Sequence, residues 1–210
     1  MKIVDLGKMD YMEALKIQED LMQKHLNGEG EDTLLLVEHP PVLTLGRRGE
    51  YSNILLAKDY LENMGVSVYE VSRGGDVTYH GPGQIVGYPI MNLENHGKDI
   101  KQFIWKLEEV IIRLLKDLYD IEATRDEKKY TGVWVGDEKI TAIGVAVKRW
   151  VTMHGFAFNV NTNLEHFKWI NPCGIMDKGV TSMEKLIGKE ADFEEIKRKV
   201  ADYFVEVFSA

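Results

Sequence analysis

The stretch Thr131-Gly132-Val133-Trp134-Val135-Gly136-Asp137-Glu138-Lys139-Ile140-Thr141-Ala142-Ile143-Gly144-Val145-Ala146-Val147 decides the fold class. Two runs rich in β-branched residues flank Gly136-Asp137-Glu138, a short Gly-containing connection of the kind a hairpin requires. Antiparallel strands are therefore expected at 131–135 and 139–147, and the pattern continues through 151–160. Further out, strand-like runs occur at 33–38, 66–71 and 85–90. Helical spacing of apolar residues appears in three segments. The first covers 10–25, with Asp10 and Glu13 placed as a capping-box pair and Tyr11, Ala14, Leu15, Leu21 and Met22 on one side. The second starts near Asp99 and carries Phe103, Ile104, Leu107, Val110, Ile111, Leu114, Leu115 and Leu118 as a core-facing stripe. The third starts near Asp192. A shorter helix at 56–64 ends at Gly65, a C-cap residue. Strands and helices mix without βαβ alternation, so the expected class is α+β, a mixed, largely antiparallel sheet flanked by helices.

The chain has 210 residues, enough for one sizeable core, and no repeat or linker divides it, so a single catalytic domain over 1–210 is expected. A formal net charge of −8 argues against broad nucleic-acid or anionic-membrane binding. No apolar run reaches the length of a membrane span, and Met1 to Asp5 lacks a signal region, which makes the cytoplasm the expected compartment. One cysteine excludes an intrachain disulfide and leaves a free thiol suited to a reducing compartment. The six histidines show no ligand spacing with it, so neither a metal nor another cofactor is expected.

Three segments carry chemistry. In Arg73-Gly74-Gly75-Asp76-Val77-Thr78-Tyr79-His80-Gly81-Pro82-Gly83-Gln84, glycines alternate with hydrogen-bonding side chains. Glycine at this density favours close backbone approach or positive φ, which suits a loop that presents N–H groups and an imidazole to a ligand carbonyl. The stretch has neither Walker nor Rossmann spacing. In Asn171-Pro172-Cys173-Gly174-Ile175, proline and glycine bracket the cysteine in a tight turn, and Thr181 with Glu184 reads as a capping box opening a short helix. A thiol with an ordinary pKa of about 8.5 is a few per cent ionised near neutrality and needs a nearby base or cation to act as a nucleophile. His80, His154 and Lys139 are the candidates, and the residues alone do not choose among them. The third segment joins Lys139-Ile140-Thr141-Ala142-Ile143-Gly144 with Met153-His154-Gly155-Phe156-Ala157-Phe158-Asn159. Its small residues, Ala142, Gly144, Gly155 and Ala157, would let a ligand lie close to the backbone.

Taken together with Leu36-Val37-Glu38-His39-Pro40-Pro41-Val42-Leu43-Thr44-Leu45-Gly46, these segments resemble, in content and order, the octanoyltransferases of lipoate biosynthesis. The resemblance implies the biotin/lipoate protein ligase fold and a two-step reaction without ATP. Octanoyl-acyl carrier protein would acylate Cys173, and the acyl group would pass to a lysine on a lipoyl domain of 2-oxoacid dehydrogenase complexes or of the glycine cleavage H protein. The nucleophile of that family maps onto Cys173 and its pKa-lowering partner onto Lys139. Arg73, Gly74, Gly75, Asp76, Val77, Thr78, Tyr79, His80, Ala142, Ile143, Gly144, His154, Gly155, Phe156 and Ala157 would line the acyl site, with N–H groups of the glycine-rich loop as an oxyanion hole. An acidic donor docking on an acidic enzyme needs a local cationic face, for which Arg47, Arg48, Lys148 and Arg149 are the candidates. Three other readings remain for comparison. An ATP-dependent ligase of the same fold would not need Cys173, a papain-like hydrolase would show that family's local signature, and a non-catalytic acyl-binding module would tolerate loss of the thiol.

Overall fold

The computed structural model describes residues 1–126, 130–171 and 178–209. In chain order the elements are β1 (Lys2–Lys8), α1 (Tyr11–Leu26), β2 (Thr33–Glu38), β3 (Val42–Leu45), α2 (Lys58–Asn63), β4 (Ser67–Glu70), β5 (Val77–His80), β6 (Gln84–Ile90), α3 (Ile100–Tyr119), β7 (Thr124–Arg125), β8 (Gly132–Val135), β9 (Glu138–Lys148), β10 (Val151–Asn159), β11 (Gly179–Val180), α4 (Met183–Ile187) and α5 (Phe193–Ser209). The large sheet runs β1-β2-β6-β10-β9-β8-β7, with β11 added to β9, and a small sheet runs β4-β3-β5. Only the β1–β2, β9–β11 and β3–β4 pairs are parallel among the described strands, so the sheet is mixed and largely antiparallel, as expected.

Side chains alternate across the large sheet. One face packs Leu34, Leu36, Ile85, Phe156 and Phe158 against the apolar stripes of α3 and α5. The other gathers Leu35, Val37, Val86, Tyr88 and Ala157 under Tyr11 and Ala14 of α1. Leu43, Leu45, Val77 and Tyr79 of the small sheet form a satellite core with Leu61 of α2. The small sheet and α1 thus cover only part of the second face.

The helix starts follow their caps. Asp10 accepts from Met12 N at 2.7 Å, and Asp99 accepts from Lys101 N and Gln102 N at 2.8 and 3.0 Å. Gly65 ends α2's turn at φ +73°. Three expectations are corrected. Leu118 is 42% exposed, so the buried stripe of α3 ends at Leu115. Ser182, not Thr181, caps α4, accepting from Lys185 N at 3.2 Å. The hairpin turn is Gly136-Asp137 alone, with Gly136 at φ +58° and Glu138 already in β9.

Sequence reading missed β1, β3, β5, β7 and β11. In β5 the middle of the glycine-rich stretch is a strand, since the four residues between Gly75-Asp76 and Gly81 contain no glycine and Val77-Thr78-Tyr79-His80 pairs with β3.

Candidate active site

A cleft of about 750 Å³ opens between the large sheet and the 73–78 segment. Arg73, Gly74, Gly75, Asp76, Val77, Thr78 and His80 line it, with Ala142, Ile143, Gly144, His154, Gly155, Phe156, Ala157 and Lys139. Tyr79 is the exception. It projects to the other side of β5, fully buried, where its hydroxyl meets His166 Nδ1 at 2.7 Å among Phe167 and Trp169. Strand alternation separates it from Thr78 and His80, which a loop reading could not foresee. Cys173 lies outside the described residues.

Lys139 reaches the cleft through a break in register. Val133 pairs with Thr141, but Trp134 pairs with Lys139, so Ile140 is an extra residue on β9. This bulge lets Lys139 and Ala142, three apart, line the same cleft while Ile140 stays in the core between them. Lys139 Nζ stands 4.7 Å from the Trp134 ring centroid and donates to Thr131 O at 3.3 Å. Lys178 stands at 4.7 Å from the same indole. On the other edge of β9, Val180 of β11 pairs with Lys139, and Thr181 N donates to Lys139 O at 3.0 Å.

The 73–75 backbone is clamped from both sides. The Arg73 guanidinium donates to Thr44 O at 2.7 Å, to Thr44 Oγ1 at 2.9 Å and to Gly74 O at 2.9 Å. Gly74 N donates to Val145 O at 2.9 Å, so this amide ties the loop to the sheet. Asp76 accepts from Val77 N at 2.6 Å and from Asn53 Nδ2 at 2.8 Å. A Cβ on Gly144 would stand 2.8 Å from Gly74 O, and one on Gly155 would stand 2.1 Å from Gly87 O. Protein backbone excludes a side chain at both.

Burial keeps both imidazoles uncharged near neutrality. His80 Nδ1 meets Gln84 Oε1 at 2.8 Å, and Gln84 Nε2 donates to Asn159 Oδ1, so the amide orientation makes His80 Nδ1 the protonated nitrogen. Burial, with His39 adding to it, lowers the His80 pKa to about 3. His154 sits in mid-strand at φ +59°, with its N–H on Gln18 Oε1 at 3.0 Å and Nε2 at 3.1 Å from Ser72 Oγ. Burial, then Arg73 and Arg47, lowers its pKa to about 4. Neither imidazole is a base poised near neutrality.

Sequence reasoning missed several lining residues: Tyr11, Val86, Tyr88, Tyr130, Trp134 and Lys178. Tyr11 and Val86 read as ordinary core positions, and their apolar periodicity holds no signal of a cleft. Gln18 lay within the first helix, and a fully buried glutamine on its inward face was the available hint.

Comparison with known proteins agrees with this geometry. Residues 10–205 match the family model of the lipoyl protein ligase A/B catalytic domain. An octanoyltransferase of Caldicellulosiruptor saccharolyticus is 65% identical over 205 residues, covering 98% of this chain and 87% of its own. One from Desulforamulus reducens is 56% identical over 206 residues, covering 98% and 90%. Among solved structures, a bi-partite lipoate protein ligase from Thermoplasma acidophilum, described with its E2 lipoyl domain, gives a TM-score of 0.71 at 15% identity over 99% of this chain and 83% of that one. The biotin protein ligase of Aquifex aeolicus, in complex with biotin and ATP, gives 0.61 at 15% identity over 99% and 70%. The structural likenesses establish the biotin/lipoate ligase fold. With the family model matched over most of its length, the chain belongs to the lipoyl protein ligase A/B catalytic domain family, among its octanoyltransferases.

Proposed function

We propose that this enzyme carries an octanoyl (or lipoyl) group from octanoyl-acyl carrier protein, through a thioester on Cys173, to a lysine of lipoyl domains. The acceptors are those of 2-oxoacid dehydrogenase complexes and the glycine cleavage H protein, in the cytoplasm and without a cofactor. The observation that supports this most is the pairing of Val180 with Lys139, just beyond the segment that contains Cys173. Asn171 and Lys178, on either side of that segment, line the same cleft as Lys139.

In the first step the Cys173 thiolate attacks the donor carbonyl, and the carrier thiol leaves with a proton. One thioester replaces another, so the step is close to isoenergetic. In the second step the neutral acceptor amine attacks, Cys173 leaves as thiolate, and the amine proton is released. Amide formation makes this step downhill with no need of ATP. Lys139 supports the chemistry in one of two ways, as a cation that favours the thiolate or as a neutral amine that takes its proton. The acidic donor docks on Arg47 and Arg48, which lie exposed after β3, and on Lys148 and Arg149 at the β9–β10 turn.

The test is transfer from octanoyl-acyl carrier protein to an apo lipoyl domain with ATP omitted. One octanoyl group per acceptor supports the reading, whereas activity only with free octanoate and ATP replaces it with a ligase. In the same assay, Arg47→Glu with Arg48→Glu should slow transfer and flatten its salt dependence. Unchanged kinetics would remove the docking face.

A further inference from the structure

The ends of the cleft differ in character. At one end stand Trp134, Lys139 and Lys178; at the other stand Tyr11, Val86, Tyr88 and His80. Between them the floor is nearly bare. Ala142 of β9 pairs with Ala157 of β10, which pairs with Val86 of β6, and Gly144 pairs with Gly155 in the adjoining row. Strands lie about 4.8 Å apart, so the path from β9 across β10 to β6 is about 10 Å, the length of an extended eight-carbon chain. At β6 the floor changes from Ala and Gly to Val86 and Tyr88, and Tyr11 of α1 closes over them, 2% exposed.

Tyr88 cannot easily yield. Met9 O can only accept, so the 2.8 Å contact with His39 Nδ1 fixes the proton on that nitrogen. His39 Nε2 then accepts from the Tyr88 hydroxyl at 2.9 Å. Swinging the ring aside would leave both groups buried and unpaired. Tyr11, tilted against His39 at 5.3 Å, backs the same corner.

We infer that Tyr88, braced by His39, is the residue that sets acyl length, an assignment that rests on the octanoyl-transfer reading above. A shorter chain leaves space unfilled before the ring and forfeits about fourfold in selectivity per missing methylene. A longer chain has to displace a pinned side chain in a close-packed corner.

The experiment offers the purified protein a mixture of six-, eight-, ten- and twelve-carbon acyl groups on acyl carrier protein, with limiting apo lipoyl domain, and reads the acylated products by mass. The wild type should peak at eight carbons. Tyr88→Ala should raise the ten-to-eight product ratio by about fifteenfold, the gain that two newly buried methylenes supply. Tyr88→Phe keeps the ring but loses the brace, so it should keep the maximum at eight and raise the ten-to-eight ratio by less than Tyr88→Ala. Val86→Phe, which fills the floor one row away, should move the maximum to six and reads the same gauge if Tyr88→Ala does not fold. Active variants whose profiles match the wild type overturn the gauge. Failure of the wild type to transfer any of the four overturns the transfer reading itself.

Discussion

Gln84 and Asn159 are direct partners on β6 and β10, and Gln84 Nε2 donates to Asn159 Oδ1 at 2.9 Å. Asn159 Nδ2 in turn donates to Thr181 O at 3.1 Å, so a buried amide chain runs from His80 in the cleft to the residue after β11. Every link is donor to acceptor, which makes the chain costly to break at its centre. Gln84→Leu should destabilise the fold by about 2–4 kcal/mol, since it orphans both His80 Nδ1 and Asn159 Oδ1. Urea unfolding measures this, and a loss below about 0.5 kcal/mol would mean the chain is re-formed through solvent.

Stability should fall on acidification through the cleft histidines. His154 and His80 titrate at about 4 and about 3 when folded, against 6.5 for the ordinary side chain. Between those values the unfolded chain binds more protons, so stability rises with pH. Their contribution is complete above pH 6.5 and is lost as pH falls toward 4 and then 3, at up to about 1.4 kcal/mol per pH unit for each. His154→Asn, which tolerates the positive φ, should flatten the slope between pH 6.5 and 4. Unfolding free energies across that range check it, and an unaltered slope contradicts it.

Gly144→Ala tests why the floor is bare. Its Cβ would meet Gly74 O at 2.8 Å and Arg73 Cδ at 3.3 Å, so the 73–75 backbone has to move off β9. The expected cost is about 1–3 kcal/mol, with slower octanoyl transfer in protein that remains folded. Thermal unfolding alongside transfer kinetics separates the two effects, and a variant unchanged in both would contradict the clamp.

On the proposed mechanism, Lys139→Met should raise the pKa of the Cys173 thiol toward its ordinary value of about 8.5, because the cation or base that mechanism assigns to the thiol is gone. The alkylation rate of the thiol against pH reports this directly. The variant's profile should lie at higher pH than the wild type's, and coincident profiles would remove Lys139 from the activation of the thiol.

Much of this was legible in the sequence where local pattern and tertiary role coincide. The stripe from Phe103 to Leu115 announces α3, and Gly136-Asp137 announces the β8–β9 hairpin. Other features needed the third dimension. β1 is an edge strand with a mostly exposed or half-buried pattern, so alternation is faint. The Ile140 bulge exists only relative to β8, yet it is what turns Lys139 into the cleft. Glu108 sits buried in an apolar helix stripe because it accepts from Gly132 N at 3.0 Å, a partner distant in sequence. Gly144 and Gly155 stand out in the sequence as small strand residues, but their close fit against Gly74 O and Gly87 O needed the folded chain. Tyr88 and His39 looked like strand and loop residues until the pairing of β2 with β6 brought them together.

The most direct test of the central claim is the intact mass of the protein after incubation with octanoyl-acyl carrier protein. The account predicts a gain of one octanoyl group, absent in Cys173→Ala and discharged by apo lipoyl domain without ATP. An active wild type that never carries the adduct, or a Cys173→Ala variant that transfers as fast, would contradict it.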